Sequence, residues 1–383
     1  MLTLSLSAVA NTAYEQGLYY YNLDTDDGYR QAFTYFSQAA EQGDSKAQLE
    51  LGYMYDMGYG VNQDYNKALE WYTKSAEQGN AGAQYNLGVM FKNGQGTPVD
   101  YHKAVQWYRK SANQGYASAQ YNLGVMYEKG YGVHQDYNKA IEWYTKSANQ
   151  EDANAQYNLG VMYDNGYGVH QDYYQAVQWY AKAANQGIAD AQYNLGVMYY
   201  EGEGIQRDYQ KAIEWYTKAA NQGHVEAQNN LGFMYGNGYG VSQDYQKAIE
   251  WYIMAGSQGD YAAQYNLGLM YYEGHGVHQD YHQAVHWYKQ SANQGHANAQ
   301  VNLGNMYEKG YGVRQDYKQA FNWYAKAAAQ NNATAQYNIG NMHSNGWSVR
   351  QNKTTAKDWY GKACDNGYQK GCDKYRELNQ QGY

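Results

Sequence analysis

The chain has 383 residues, a formal net charge of −8, one proline and two cysteines. An acidic balance without any basic run argues against a nucleic-acid surface, whose affinity rests on neutralising phosphates. No apolar run approaches the roughly 20 residues that span a bilayer, so membrane insertion as a helix is not expected.

Residues 1–12 begin MLTLSLSAVA, where Ala8-Val9-Ala10 resemble the small-residue cleavage site of a secretory signal, although the positive leading region is missing. A frayed apolar terminus is the alternative. Residues 13–44 read as a degenerate repeat that keeps Tyr29, Ala32, Tyr35 and Gly43.

From AQLELGYMY at Ala47 to AQYNIGNMH at Ala335, nine copies of one motif follow at intervals of 36 residues without insertion or deletion. A unit of that size cannot bury its own apolar face, so a fixed period in this range means units stacked on copies of themselves. Residues 45–368 are therefore expected to form nine repeats of one continuous solenoid. Linear growth also removes the usual reason to divide a chain of this length into several domains.

Residues 81–116 illustrate one unit. Ala83, Leu87, Met90 and Phe91 recur at helical spacing and define a helix A. Gly88 interrupts that stripe where a side chain would hold a partner helix off, and Gly94 and Gly96 turn the chain. Asp100 precedes a second apolar run, Ala104, Trp107, Tyr108, Ser111 and Ala112, and is placed to cap this helix B. Gln114-Gly115 ends it, with glycine in a left-handed conformation. Glu151 and Asn331 replace that glycine in two repeats, and Glu151 predicts a strained or reshaped connection. The expected fold is all-α throughout residues 13–383, with no sheet.

Cys364 and Cys372 fall at the end of one helix and the start of the next, within reach of a disulfide that would staple the last repeat. Such a bond fits an oxidising compartment; two reduced thiols are the alternative. Residues 369–383 read as a lone capping helix.

These columns resemble the Sel-1-like repeat (SLR) family, a branch of the tetratricopeptide-like helical repeats. Residues 117–151, ASAQYNLGVMYEKGYGVHQDYNKAIEWYTKSANQE, match almost every fixed position of its pattern. The resemblance implies an α/α right-handed superhelical solenoid of 36-residue helix-turn-helix repeats, acting as an adaptor in bacterial envelope or host-interaction settings or in degradation at the endoplasmic reticulum. The cysteine spacing also resembles the bridge of cysteine-rich SLR proteins, a subgroup associated with penicillin binding. This chain carries one such pair and has neither S-x-x-K nor G-x-S-x-G, the arrangements that supply a serine nucleophile.

If helix A lines the concave side, as in the tetratricopeptide relatives, two columns face a ligand. One holds Tyr85, Tyr121, Tyr157, Tyr193, Asn229, Tyr265, Val301 and Tyr337; the other holds Asn86, Asn122, Asn158, Asn194, Asn230, Asn266, Asn302 and Asn338. An asparagine ladder can donate to and accept from the main chain of an extended peptide, and can equally hold neighbouring repeats together. A third column runs from Tyr53 through Val89, Val125, Val161, Val197, Phe233 and Leu269 to Asn305 and Asn341. At its polar end Asn302, Asn305, Asn338, Asn341 and Lys309 form, by analogy with carboxylate-clamping relatives, a clamp for a peptide carboxylate or another anion. A fourth column is variable: Asp56, Lys92, Glu128, Asp164, Tyr200, Gly236, Tyr272, Glu308 and Ser344. Its freedom means that nothing constrains it or that a partner does.

His275, His278, His282 and His286 form a histidine cluster that reads as a solvated face, so no metal is expected, nor any cofactor. The expected function is a non-enzymatic scaffold for a protein or peptide partner, periplasmic or secreted, with a cytoplasmic location as the alternative. A penicillin-binding or β-lactam-hydrolysing envelope protein and a purely structural spacer are the rival readings.

Overall fold

The computed structural model describes residues 2–383, with side chains from Thr12 onward. It contains twenty-one helices and, among the described residues, no strand. The first helix spans Leu2–Tyr21 and packs on Asp26–Glu41. The reading of MLTLSLSAVA as a processing signal or frayed terminus rests on side chains outside the described residues.

The remaining repeats each contribute a helix A and a helix B, as in Ala81–Asn93 and Tyr101–Asn113. Helix A starts where Asn80 accepts a hydrogen bond from the Ala83 N–H, and stops at Gly94, whose φ of +74° closes the last turn. Helix B starts at Asp100, whose carboxylate accepts from the Lys103 N–H at 2.9 Å. The same acid caps helix B in seven further repeats, and Asn352 takes its place in the last. Each such cap satisfies an orphan donor and is worth about 1 kcal/mol.

Helix A and helix B meet through a glycine and a tyrosine. A Cβ on Gly124 would stand 2.7 Å from the Tyr144 ring, and Gly52, Gly160 and Gly232 face Tyr72, Tyr180 and Tyr252 in the same way. These tyrosines are fully or almost fully buried, together with the leucine and methionine of helix A. The glycine thus admits the largest core side chain of its own repeat, which offsets its helix-propensity cost of roughly 1 kcal/mol.

Neighbouring repeats are joined by glutamine. Gln84 is buried and donates from Nε2 to the Ala76 carbonyl of the preceding helix B at 3.1 Å, while its Oε1 accepts from Gln114 at 2.8 Å. The first of these bonds recurs at Gln48, Gln120, Gln156, Gln228, Gln264 and Gln300. Ser111 adds a bond to the Ala81 carbonyl within the repeat.

The connection at Glu151 is both reshaped and left-handed. Its helix B, Tyr137–Ala148, ends one residue earlier than the 13-residue helices, and Glu151 adopts φ +66°. Asn331 repeats this after Tyr317–Ala328 with φ +62°. A side chain in that region costs roughly 1–2 kcal/mol where glycine costs none.

The chain forms two compact units: one runs to Ala191 and includes Glu203–Ile205, the other comprises Gln192–Gly202 and Gln206–Tyr383. In the second, Cys364 of helix Lys353–Asp365 is disulfide-bonded to Cys372 of the last helix, Gln369–Gln380, with Cα atoms 4.5 Å apart.

Candidate functional site

The helix-A tyrosines Tyr85, Tyr121, Tyr157, Tyr193, Tyr265 and Tyr337 are half-buried. Each packs against the buried tyrosine of its own helix B at 5.4–6.0 Å between ring centroids. Two members of the column differ: Val301 is buried, and Asn229 has a buried Oδ1 without a hydrogen-bond partner among the described residues.

The asparagines beside them reach the tyrosine hydroxyls of the preceding repeat. Burial raises the pKa of Tyr193 and Tyr216, and hydrogen bonding from Asn230 opposes the rise in both. Asn302 does the same for Tyr265 and Tyr288, Asn158 for Tyr121 and Tyr144, and Asn122 for Tyr85. Asn122 also donates to the Ser118 carbonyl of its own helix. Asn86, Asn194 and Asn266 occupy the same half-buried position. The backbone of the neighbouring repeat is held by the glutamines above, while the asparagine amides adjoin hydroxyls of helix-A and helix-B tyrosines of the preceding repeat.

The variable column has a structural partner that sequence reasoning missed. The buried tyrosine hydroxyl donates to the column's acid where there is one: Tyr72 to Asp56 at 3.3 Å, Tyr144 to Glu128 at 2.6 Å, and Tyr180 to Asp164 at 3.0 Å. Tyr324 lies 2.9 Å from Glu308 Oε2 and 2.6 Å from Asn305 Oδ1, and Tyr360 donates to Asn341 at 2.8 Å. Burial raises the carboxyl pKa of Asp56 and Asp164, against a lowering by the tyrosine bond. Opposite Lys92 the Tyr108 hydroxyl is buried without a partner among the described residues.

Three consecutive repeats carry no acid in this column: Tyr200, Gly236 and Tyr272. Two cavities open there, both within the second unit. The smaller, about 280 Å³, lies over Tyr216 and is lined by Tyr193, Val197, Tyr200, Glu201, Asn230, Phe233 and Met234. The larger, about 610 Å³, lies over Tyr288. Its wall combines Tyr265, Asn302, Asn305, Asn338, Asn341 and Lys309 with Leu269, Tyr272, Glu273, Met306, Glu308 and Tyr311.

Every residue of the expected anion clamp thus lines one cavity, but its charge differs from the expectation. Lys309 Nζ pairs with Glu308 at 3.2 Å, and Glu273 adds a second carboxylate. Asn305 Oδ1 also accepts from Asn338 at 3.3 Å, so these amides already form a connected polar wall. Tyr85, Asn86, Tyr121, Asn122, Tyr157, Asn158, Asn194 and Asn266 line neither cavity.

The histidines do not converge. His275 stacks on Tyr245 at 4.8 Å and lies 3.1 Å from Glu273, and the His286 ring is 2.7 Å from Gln290 Nε2. Among the described residues no group of three or more metal-ligating side chains comes together.

The family model for the Sel1 repeat matches ten consecutive segments, residues 6–44, 45–80, 81–116, 117–152, 153–188, 189–224, 225–260, 262–296, 297–332 and 333–368. Among solved structures, c5321, described as a protective antigen of uropathogenic Escherichia coli strains displaying an SLR fold, is 34% identical with a TM-score of 0.75, covering 99% of this chain and 90% of its own. A Sel1 repeat protein from Oxalobacter formigenes is also 34% identical, with a TM-score of 0.63 over 81% of this chain and 89% of that one. No curated protein matches the sequence. Proteins of this kind are generally non-enzymatic helical scaffolds that mediate protein interactions. With ten matched units spanning almost its whole length, the chain belongs to the Sel1 repeat family.

Proposed function

We propose that the chain is a non-enzymatic scaffold that binds an extended segment of a protein or peptide along helix A of residues 193–341, with the two cavities as side-chain sockets. The larger cavity carries this reading. It joins amide groups that can pair with a peptide main chain to tyrosine and leucine surface that an apolar side chain can cover. A random peptide library selected on the chain tests it. Saturable binders are expected, weakened about tenfold or more by Tyr272→Ala or Lys309→Ala, and unaffected by Lys110→Ala, whose ammonium lies 3.9 Å from the Trp107 ring centroid on helix B. Binders indifferent to the cavity variants would contradict the proposal. No saturable binder at all is what the spacer reading predicts.

We also propose an envelope or extracellular location in a bacterium. The Cys364–Cys372 disulfide fits oxidising compartments, and the similar antigen of uropathogenic E. coli is bacterial. Intact-mass measurement after thiol blocking in the native cell is expected to find both cysteines unblocked. Two blocked thiols would contradict it.

A further inference from the structure

The smaller cavity over Tyr216 has a chemistry of its own. Its volume of about 280 Å³ falls just below the roughly 300–1,000 Å³ of sites for drug-sized ligands, which leaves room for one long side chain. Its walls combine aromatic and aliphatic side chains with the amide of Asn230, and Glu201 is the one charged residue among its lining residues. The Glu201 carboxylate has no hydrogen-bond or ion-pair partner among the described residues, unlike Glu273 and Glu308 of the larger cavity, which pair with His275 and Lys309. Tyr200 and Phe233 both contact Tyr239, at 6.3 Å and 5.7 Å between centroids, so the cavity adjoins a cluster of rings.

Ring faces attract cations, and a carboxylate beside them completes a site for a positive group. A guanidinium suits this place better than an ammonium: it is planar, weakly hydrated, stacks on aromatic rings and forks onto a carboxylate. The rim already holds one. Arg207 lies 6.0 Å from the Tyr209 ring centroid and donates to the Glu201 carbonyl at 3.0 Å, yet it does not line the cavity. Glu201 is the one charged side chain that lines this cavity, so the lining charge favours a basic occupant.

We propose that this cavity is a socket for an arginine side chain of the bound segment. The guanidinium pairs with Glu201 and stacks on the Tyr200 and Phe233 rings, and the methylenes cover Val197, above the buried Met234. The proposal rests on helix A being the binding face, but its test needs no peptide. Chain labelled with 13C at methionine methyls is titrated with propylguanidinium and with its neutral counterpart propylurea, the Met234 signal being identified through Met234→Leu. The Met234 methyl is expected to shift saturably with propylguanidinium at an affinity about fivefold or more above that for propylurea, and Glu201→Gln is expected to erase the difference. Equal responses to both probes, no response in the wild-type chain, or a preference that survives Glu201→Gln would overturn the arginine socket. Peptides that still depend on Tyr272 and Lys309 would then show the larger cavity to be sound without it.

Discussion

Repeats 117–152 and 189–224 share their pattern almost residue for residue, yet they differ over the buried tyrosine of helix B: one caps it with an acid and the other leaves a cavity. In the first, Glu128 accepts the Tyr144 hydroxyl at 2.6 Å. In the second, Tyr200 stands in the place of that acid and a cavity lies over Tyr216. The same contrast separates Asp56 and Asp164, bonded to Tyr72 and Tyr180, from Tyr272, which lines the cavity over Tyr288. Where the acid is replaced by Tyr200 or Tyr272, a cavity lies over the buried tyrosine of that repeat, and in the larger one the next two repeats, whose own tyrosines are satisfied, supply the opposite wall.

Two glycines break the comparison most sharply. Gly124→Ala pushes a Cβ to 2.7 Å from the Tyr144 ring, and overpacking of this kind costs about 1–3 kcal/mol. Gly236 sits in the variable column of a repeat without an acid, and a Cβ there would find its nearest neighbours at an ordinary 3.5 Å. Gly236→Ala is therefore expected to stabilise by roughly 0.5–1 kcal/mol through helix propensity. Urea midpoints check both, and two changes of the same sign would contradict the packing account.

Removal of hydroxyls has a smaller effect. Tyr144→Phe removes the hydroxyl bonded to Glu128 Oε2, a bond to a charged group worth about 1.5–3 kcal/mol, and leaves that carboxylate only its ion pair with Lys129. Tyr216→Phe strands no acid and is expected to cost about 1 kcal/mol or less. Equal losses in urea unfolding would remove the distinction between closed and open repeats.

A still smaller effect is set by pH. Burial raises the Asp164 carboxyl above its ordinary value, so the folded chain binds that proton more tightly than the unfolded chain does. Its contribution to stability is present below the ordinary carboxylate pKa and is lost as pH rises through the raised one. Comparing the urea midpoint of the wild-type chain with that of Asp164→Asn between the two values is expected to show the wild type losing ground as pH rises. A gain over the same window would reverse the assigned sign.

The fold was legible because period and stripe are local: the AQ-LG-MY motif repeats at fixed distance, and Ala83, Leu87 and Met90 need only helical geometry to share a face. The caps were legible for the same reason, since Asp100 bonds an N–H three residues away. The larger cavity was partly legible, because Asn302, Asn305, Asn338, Asn341 and Lys309 occupy equivalent offsets in adjacent repeats. Pairings between helices were not legible. Glu128 and Tyr144 are 16 residues apart on different helices, and only the observed packing joins them. Likewise the bond from Gln84 to Ala76 crosses a repeat boundary, and no spacing along the chain announces it.

Restoring the missing acid tests the central claim most directly. Tyr272→Glu rebuilds, opposite Tyr288, the carboxylate that Glu128 and Glu308 supply elsewhere, and removes one wall of the larger cavity. The account predicts that the dissociation constant of a peptide selected on the wild-type chain rises about tenfold or more, with the urea midpoint unchanged or higher. Undiminished affinity in a folded Tyr272→Glu chain would contradict the assignment of binding to the repeats that lack the acid.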